Sequence, residues 1–218
     1  DENVEIGTRN SKVALRRLRQ FARTGAAEEL DLDGTIRSTA HKGYLDIHLR
    51  PERRNAVKVL MFFDVGGSMD WHIKGVEELF SAARTEFKHL EYFYFHNCIY
   101  EGVWRDNARR WTDKTATMDV LHTYPADYKV FVVGDASMSP YEISHPGGSV
   151  EHMNPEPGAA WLKRLTDVYP HAVWLNPVAD EQHWSWTPSI GMIQRLMGGR
   201  MYPLTLDGLD RAMRELMR

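Results

Sequence analysis

The chain has 218 residues, a hydrophobic content of 43%, a charged content of 26% and a formal net charge of −3. These values are typical of a globular domain with a substantial core, and the net charge argues against a general nucleic-acid or acidic-membrane binder. The single cysteine, Cys98, excludes an internal disulfide and multi-cysteine metal sites, and favours a reducing, cytoplasmic location. No apolar run approaches the roughly 20 residues of a membrane helix, and no signal peptide opens the chain. The first residue is Asp1 rather than Met, which leaves open that the sequence is part of a longer protein.

Residues 1–56 are expected to form a helix and a polar extension that pack on the rest of the chain. In residues 11–24 the apolar side chains recur on one broad face, as in an amphipathic helix. The other face is basic, and it is either a solvated helix face or a docking surface for an acidic partner or for a missing N-terminal part. Its residues are Lys12, Arg16, Arg17, Arg19 and Arg23. Residues 26–56 are polar and mixed.

From residue 57 to residue 218, apolar runs of strand length alternate with amphipathic stretches of helix length. We predict strands at about 57–63, 91–95, 99–104, 128–135, 171–175 and 200–204. The helices are predicted at about 73–90, 115–124, 158–167, 188–197 and 206–217. This alternation predicts a Rossmann-like α/β fold, with a mostly parallel sheet and helices on both faces. The strand at 99–104 follows a tight turn at His96-Asn97 and is therefore predicted to be an antiparallel edge.

Two of the predicted strands end in an aspartate, at the sheet edge where this fold class binds its ligands. Asp64 follows the first buried run and Asp135 closes the run at 128–135. Because two neighbouring carboxylates repel each other, a cation between them is a natural arrangement. Neighbouring segments add hydroxyl oxygens: Ser68 in the loop after Asp64, Thr115 or Thr117 before the next helix, and Ser137 after Asp135.

Carboxylates and hydroxyls are hard oxygen ligands, and a site with few acids and several waters suits Mg²⁺, with Mn²⁺ and Ca²⁺ as alternatives. Taken alone, each hydroxyl is better explained as a helix N-cap. Their convergence with two strand-end acids favours a metal site. Spacing to the following helix favours Thr115 over Thr117, without excluding the latter.

The motifs around these residues resemble those of the von Willebrand factor A (VWA) family. Residues 64–69 (DVGGSM) resemble the Asp-x-Ser-x-Ser opening of the family's metal-ion-dependent adhesion site (MIDAS). The Thr115 region resembles the second motif, a threonine before a helix, and Asp135 resembles the third, an aspartate ending a strand. The resemblance covers about residues 57–218, and segments 30–36 and 173–177 look most like the bacterial CoxE-like branch.

This resemblance implies a non-enzymatic protein-interaction module. The CoxE-like branch is associated with MoxR-type AAA+ ATPases and with maturation of metalloenzymes, so an ATPase and its client are the implied partners. In the full motif, an acidic residue of the partner completes the coordination of the metal. The chain departs from the motif at Gly66, where the first serine would stand. The metal there would lose one ligand, to be replaced by water, a backbone carbonyl or nothing.

Two loops are predicted to contact a protein partner. Residues 138–158 are rich in Pro, Gly and Ser and are long for a connection in a compact domain, and such loops are often functional. This loop contains Tyr141 and Glu142 as candidate contacts. Trp184 and Trp186 lie close together in another predicted loop and form a candidate aromatic contact.

The main alternative is a phosphatase of the haloacid-dehalogenase type. Residues 31–35 (DLDGT) match the nucleophile motif of that family, in which the first aspartate, here Asp31, attacks the substrate. That chemistry requires a nucleophile at the tip of a buried strand, and residues 24–30 (TGAAEEL) cannot form one. The ten histidines include no helical His-x-x-x-His pair, and the chain has no Gly-x-x-x-x-Gly-Lys-Ser/Thr loop to bind nucleotide.

Overall fold

The computed structural model of the chain describes residues 8–24, 28–51 and 57–218. The first two ranges form α1 (Thr8–Thr24), β1 (Glu28–Leu30), α2 (Leu32–Lys42) and β2 (Leu49–Pro51). The third range forms β3 (Lys58–Asp64), α3 (Ile73–Glu86), β4 (His89–Phe95), β5 (Gly102–Val103), β6 (Thr115–Ala116), α4 (Thr117–Thr123), β7 (Lys129–Val133), α5 (Pro140–Ser144), α6 (Gly158–Val168), β8 (Val173–Asn176), α7 (Glu181–Trp184), α8 (Pro188–Leu196), β9 (Met201–Pro203) and α9 (Leu206–Leu216). None of the helices in these ranges is long and apolar enough to cross a membrane.

A parallel sheet of five strands lies at the centre of the described chain, in the order β4-β3-β7-β8-β9. Each neighbouring pair in this sheet is parallel. The strands β3 and β7 are buried over almost their whole length, because helices cover both faces of a parallel sheet. The predicted α/β fold with a mostly parallel central sheet is therefore confirmed.

The two faces of the sheet form two separate layers of core. Alternate residues of a strand point to opposite faces, and β3 shows this clearly. Leu60 and Phe62 pack with the buried side of α4, α6 and α8, whereas Val59, Met61 and Phe63 pack with α1, α3 and α9. The sheet is thus the middle layer of three, with its strand ends open to solvent.

The antiparallel edge is shorter than predicted. Residues 102–103 form β5, which pairs with β6 in a separate antiparallel sheet of two strands. Trp104 reaches the central sheet through one antiparallel bridge to Tyr94, with backbone hydrogen bonds of 2.6 and 3.1 Å.

The helix α1 is part of the core, and its basic face is partly used in ion pairs. Ala14, Leu15 and Leu18 are almost completely buried in the layer formed with α3 and α9. Arg16 Nε donates to Glu86 of α3 at 3.0 Å, and Arg17 forms an ion pair with Asp210 of α9.

The helix α3 is shorter than the apolar spacing predicted. That spacing runs from Ile73 to Leu90, but the helix ends at Glu86 and the next residue, Phe87, has extended backbone angles. Leu90 lies in β4 and packs in the same core layer. The apolar spacing of α3 continues through Phe87 and Leu90, although these residues lie beyond the end of the helix. The DVGGSM segment before α3 contains the start of a 3-10 helix, Gly67–His72.

Two segments for which the sequence predicted no helix each contain one. Residues 26–56 contain α2, which begins after Asp31, because the Asp31 carboxylate accepts the N–H of Gly34 at 3.2 Å and caps the helix. The long loop 138–158 contains α5, capped by Ser139, whose hydroxyl accepts the N–H of Tyr141 at 3.3 Å. A helix of five residues is too short to produce a periodic sequence pattern.

Candidate metal centre

Asp64 is the last residue of β3 and has a buried side chain. Its Oδ1 accepts two backbone hydrogen bonds of 2.8 Å, from the N–H groups of Gly66 and Asn97. Its Oδ2 is also buried and accepts no hydrogen bond in the described part of the chain. One oxygen therefore fixes the carboxylate, and the other remains available to a ligand.

Asp135 lies beside Asp64 because β3 and β7 are neighbours. Phe63 pairs with Val133 in the register of the sheet, so Asp64 and Gly134 lie side by side at the strand ends. An ideal Cβ at Gly134 would lie 3.2 Å from Asp64 Oδ2, which shows that this oxygen faces the end of β7. Asp135 comes next in the chain, is buried, and accepts the N–H of Ser137 on Oδ1 at 2.9 Å.

Glu142 is a third buried acid of the same region. It lies on α5 with 1% of its surface exposed, and both of its carboxylate oxygens accept hydrogen bonds from Asn97 Nδ2, at 3.0 and 3.3 Å. Sequence reasoning placed Glu142 on a partner-binding surface. Its burial removes it from that surface, and its contact with Asn97 places it in the surroundings of Asp64.

The three acids form no ion pair with any lysine, arginine or histidine of the described ranges. Burial is the main cause that raises the pKa of Asp64 to about 7. The negative charges of Asp135 and Glu142 act in the same direction, and the hydrogen bonds from Gly66 and Asn97 act against it. Buried carboxylates without a basic partner are costly. A bound cation would remove this cost.

The predicted hydroxyl ligands have different surroundings. Ser68 lies within the 3-10 helix and is not its N-cap, which is Gly66. Among the described residues, none forms a hydrogen bond with the Ser68 hydroxyl. Thr115 is half-buried in β6. Thr117 is fully buried and donates from Oγ1 to the carbonyl of Tyr100 at 2.5 Å. Ser137 is exposed and meets Asp135 through its backbone.

Asn97 is the residue of this region that sequence reasoning missed. It was interpreted only as part of a turn, but its backbone N–H binds Asp64 and its side chain binds Glu142. Its φ of 57° lies in the left-handed region, which Asn tolerates better than most residues. The only sequence signal was the turn-forming residue type directly after a strand.

The predicted partner contacts separate into exposed and buried residues. Trp186 and Tyr141 are exposed to 74% and 65%. Trp184 is buried, and its Nε1 donates to the carbonyl of Val178 at 3.0 Å. It therefore packs inside the fold, and the prediction that it contacts a partner together with Trp186 was wrong for Trp184.

A cavity of about 410 Å³ opens beside Asp64 and Gly66. Its walls are mostly apolar and come from α3, the 3-10 helix before it and β4, with Arg110 at the side. The candidate centre therefore adjoins a concave apolar surface, a common feature of ligand sites.

The donor set of this region fits a hard divalent cation. The part of the chain that the structure describes contains no group of three or more His, Cys, Asp and Glu side chains arranged to hold a metal. A cation at Asp64 would therefore need hydroxyl, amide or water oxygens in addition to carboxylates. Mg²⁺, Mn²⁺ and Ca²⁺ accept such mixed oxygen ligands.

Comparison with known proteins finds one family that part of the chain resembles. Residues 5–101 match the family model described as VWA domain containing CoxE-like protein. No curated protein and no solved structure matches the chain. The matched residues include α1, β3 with Asp64, the loop with Gly66 and Ser68, and Asn97, and the parallel sheet continues through residue 203. Over residues 5–101 the chain is therefore similar to the VWA domain containing CoxE-like proteins.

Proposed function

We propose that this chain is a non-enzymatic protein-interaction module that holds a divalent cation, Mg²⁺ in the first place, at Asp64 and Asp135. One observation carries the proposal: the buried Asp64 Oδ2 accepts no hydrogen bond among the described residues and faces the strand end that leads to Asp135. Ser68 and one of Thr115 and Thr117 are the proposed hydroxyl ligands. The cation would balance the buried negative charge and fix the rim of the sheet.

The proposed partner supplies a carboxylate that completes the coordination of the cation. The association of the CoxE-like branch with MoxR-type AAA+ ATPases supports such an ATPase as the partner, in remodelling or maturation of a client metalloenzyme. The exposed Trp186 and Tyr141 are proposed contacts for the partner. The buried single thiol of Cys98 supports a cytoplasmic setting.

The phosphatase alternative receives no support from the position of Asp31. The proposed nucleophile would have to end a strand of the central sheet. Asp31 instead follows the short strand β1, which pairs with β2 apart from that sheet, and it caps α2.

The first test is calorimetric titration of Mg²⁺ and Mn²⁺ into the metal-stripped protein and into an Asp64→Asn variant. Asparagine keeps the shape of the side chain and can still accept the N–H groups of Gly66 and Asn97, but it removes the charge that attracts the cation. We expect saturable binding in the wild type and its loss in the variant, with both proteins folded by circular dichroism.

Asp70→Asn is the matched control. Asp70 is an exposed acid six residues further along the same segment, on the wall of the adjoining cavity and outside the proposed ligand set, so the variant makes the same change of charge at a carboxylate that is not a ligand. Equal loss of binding in both variants would indicate nonspecific attraction to acidic surface and would contradict the proposal. Absence of binding to the folded wild type would contradict it as well.

A further inference from the structure

The backbone at Gly66 leaves no room for a side chain. An ideal Cβ at this position would overlap Asn97 Oδ1 and would lie 3.2 Å from Asp64 Oδ1. The amide of Asn97 thus fills the space beside Asp64 that a serine at residue 66 would occupy. As long as the Asn97 amide lies in this space, residue 66 can only be glycine.

The orientation of the Asn97 amide is fixed by its surroundings. Its Nδ2 donates to both oxygens of the buried Glu142, at 3.0 and 3.3 Å. A carboxylate only accepts hydrogen bonds, so the NH₂ end must face Glu142 and the carbonyl end must face Gly66. Among the described residues, no N–H or O–H group donates to Asn97 Oδ1.

We propose that Asn97 Oδ1 binds the cation in place of the side-chain oxygen that Gly66 lacks, and that Glu142 holds the amide in this orientation. Amide oxygens are ordinary ligands of hard divalent cations. Asp64 brings Asn97 and the cation together, because its Oδ1 accepts the backbone N–H of Asn97 and its Oδ2 remains available to the same cation. This inference rests on the proposed function, which requires a cation at Asp64.

The test compares Mn²⁺ affinity, measured by calorimetric titration, in four forms of the full chain. These are the wild type, Asn97→Gly, Gly66→Ser, and the double variant Gly66→Ser with Asn97→Gly. Glycine at residue 97 accepts a φ of 57° without strain and removes the amide. The double variant loses the same amide but restores a hydroxyl beside Asp64, so it differs from Asn97→Gly only at residue 66.

We expect Asn97→Gly to weaken Mn²⁺ binding at least about tenfold, a size typical for lost groups around metal sites. Gly66→Ser alone should also weaken binding, because the new side chain displaces the Asn97 amide. The double variant should bind more tightly than either single variant, because serine then occupies the space that the amide has left. Circular dichroism and thermal unfolding report whether each form is folded.

Unchanged affinity in a folded Asn97→Gly variant would overturn the inference and leave the proposed function standing. A folded double variant that binds no more tightly than Asn97→Gly would also overturn it, because the serine hydroxyl would then not replace the Asn97 amide as a ligand. A folded wild type that binds no Mn²⁺ would contradict the proposed function itself, and this inference with it.

Discussion

Asp64 is the residue at which the fold and the proposed function place opposite demands on one side chain. Burial raises its pKa from 3.8 to about 7, so the carboxyl is easier to bury protonated than ionised. A cation ligand, however, must be ionised. The conflict is typical of functional sites, where stability is lost in favour of a reactive or binding group.

The free energy of unfolding of the metal-stripped protein should therefore depend on pH through Asp64. Its folded-state pKa lies above the unfolded value, so its contribution to stability is complete below about pH 4 and is lost as the pH rises through about 7. One pKa unit corresponds to about 1.4 kcal/mol, so the loss should be of the order of a few kcal/mol. Urea unfolding at pH 5 and at pH 8 measures it.

Asp64→Asn should reduce this pH dependence, because its amide does not titrate. The difference between the two proteins isolates the contribution of Asp64 from that of the other ionisable groups. An identical pH dependence in both proteins would show that Asp64 is not the titrating group.

Among single residues, the sequence correctly predicted Asp64 as the end of β3, whereas Asp135, predicted to end its strand, lies two residues beyond the end of β7. The groups around these two acids were missed. Asp64 and Asp135 each follow a long apolar run, and that pattern locates a strand end without any knowledge of the tertiary structure. Asn97 depends on a left-handed turn conformation, and Glu142 depends on the position of the short α5. Neither property is visible in the spacing of apolar residues, so both roles required the folded chain.

At the scale of elements, the loop after β7 is held by buried polar side chains from its neighbours. Trp174 Nε1 donates to the carbonyl of Gly134 at 2.7 Å, and Asn176 Nδ2 donates to the carbonyl of Asp135 at 2.9 Å. The hydroxyl of Ser189 donates to the carbonyl of Ala136 at 2.7 Å.

Three successive carbonyls are thus bound by β8 and α8, around a residue, Ala136, with a φ of 56°. A non-glycine residue in this region is strained and persists when its surroundings determine it. We infer that β8 and α8 hold the segment that presents Asp135.

Ser189→Ala should destabilise the protein and weaken cation binding without touching the cation. The change leaves the buried carbonyl of Ala136 without its donor, and the N–H of Met138 without its acceptor at 3.2 Å. We expect a loss of about 1–3 kcal/mol in the free energy of unfolding, measured in urea. The affinity for Mn²⁺, measured by titration, should fall because Asp135 is less firmly held.

Ser185→Ala is the control for that variant. Ser185 is exposed, and its hydroxyl binds only the local carbonyl of Gln182 at 2.8 Å. Its loss should change stability by less than about 0.5 kcal/mol. If Ser189→Ala were as mild as this control, the hydrogen bonds of Ser189 would not hold the loop.

The elements themselves were predicted where one physical pattern dominates. The apolar runs that became β3 and β7 are buried on both faces, and the helices α8 and α9 kept their apolar spacing. The end of α3 was wrong, because Phe87 and Leu90 continue an apolar spacing beyond the last helical residue. The helix α2 was missed, since it contains little apolar surface and depends on the cap at Asp31.

At the scale of the whole molecule, the N-terminal helix completes the core layer opposite α6. Leu15 and Leu18 of α1 are buried against α3 and α9, and the family match begins before this helix, at residue 5. The sequence indicated an amphipathic helix, but its position on the sheet could not follow from local periodicity. Two of the basic residues on its other face, Arg16 and Arg17, form ion pairs with Glu86 of α3 and Asp210 of α9.

Leu15→Ala should therefore destabilise the entire domain. Leu15 is completely buried, and removal of a buried leucine side chain leaves a cavity that costs about 2–5 kcal/mol. Val13→Ala is the control on the same helix, because Val13 is 47% exposed and its loss should cost well under half of that. Urea unfolding followed at two probes, far-ultraviolet circular dichroism and tryptophan fluorescence, distinguishes a global effect from local fraying. If Leu15→Ala lowered the midpoint of one probe alone, or matched Val13→Ala, α1 would be an appendage, and residues 57–218 would carry the stability of the domain by themselves.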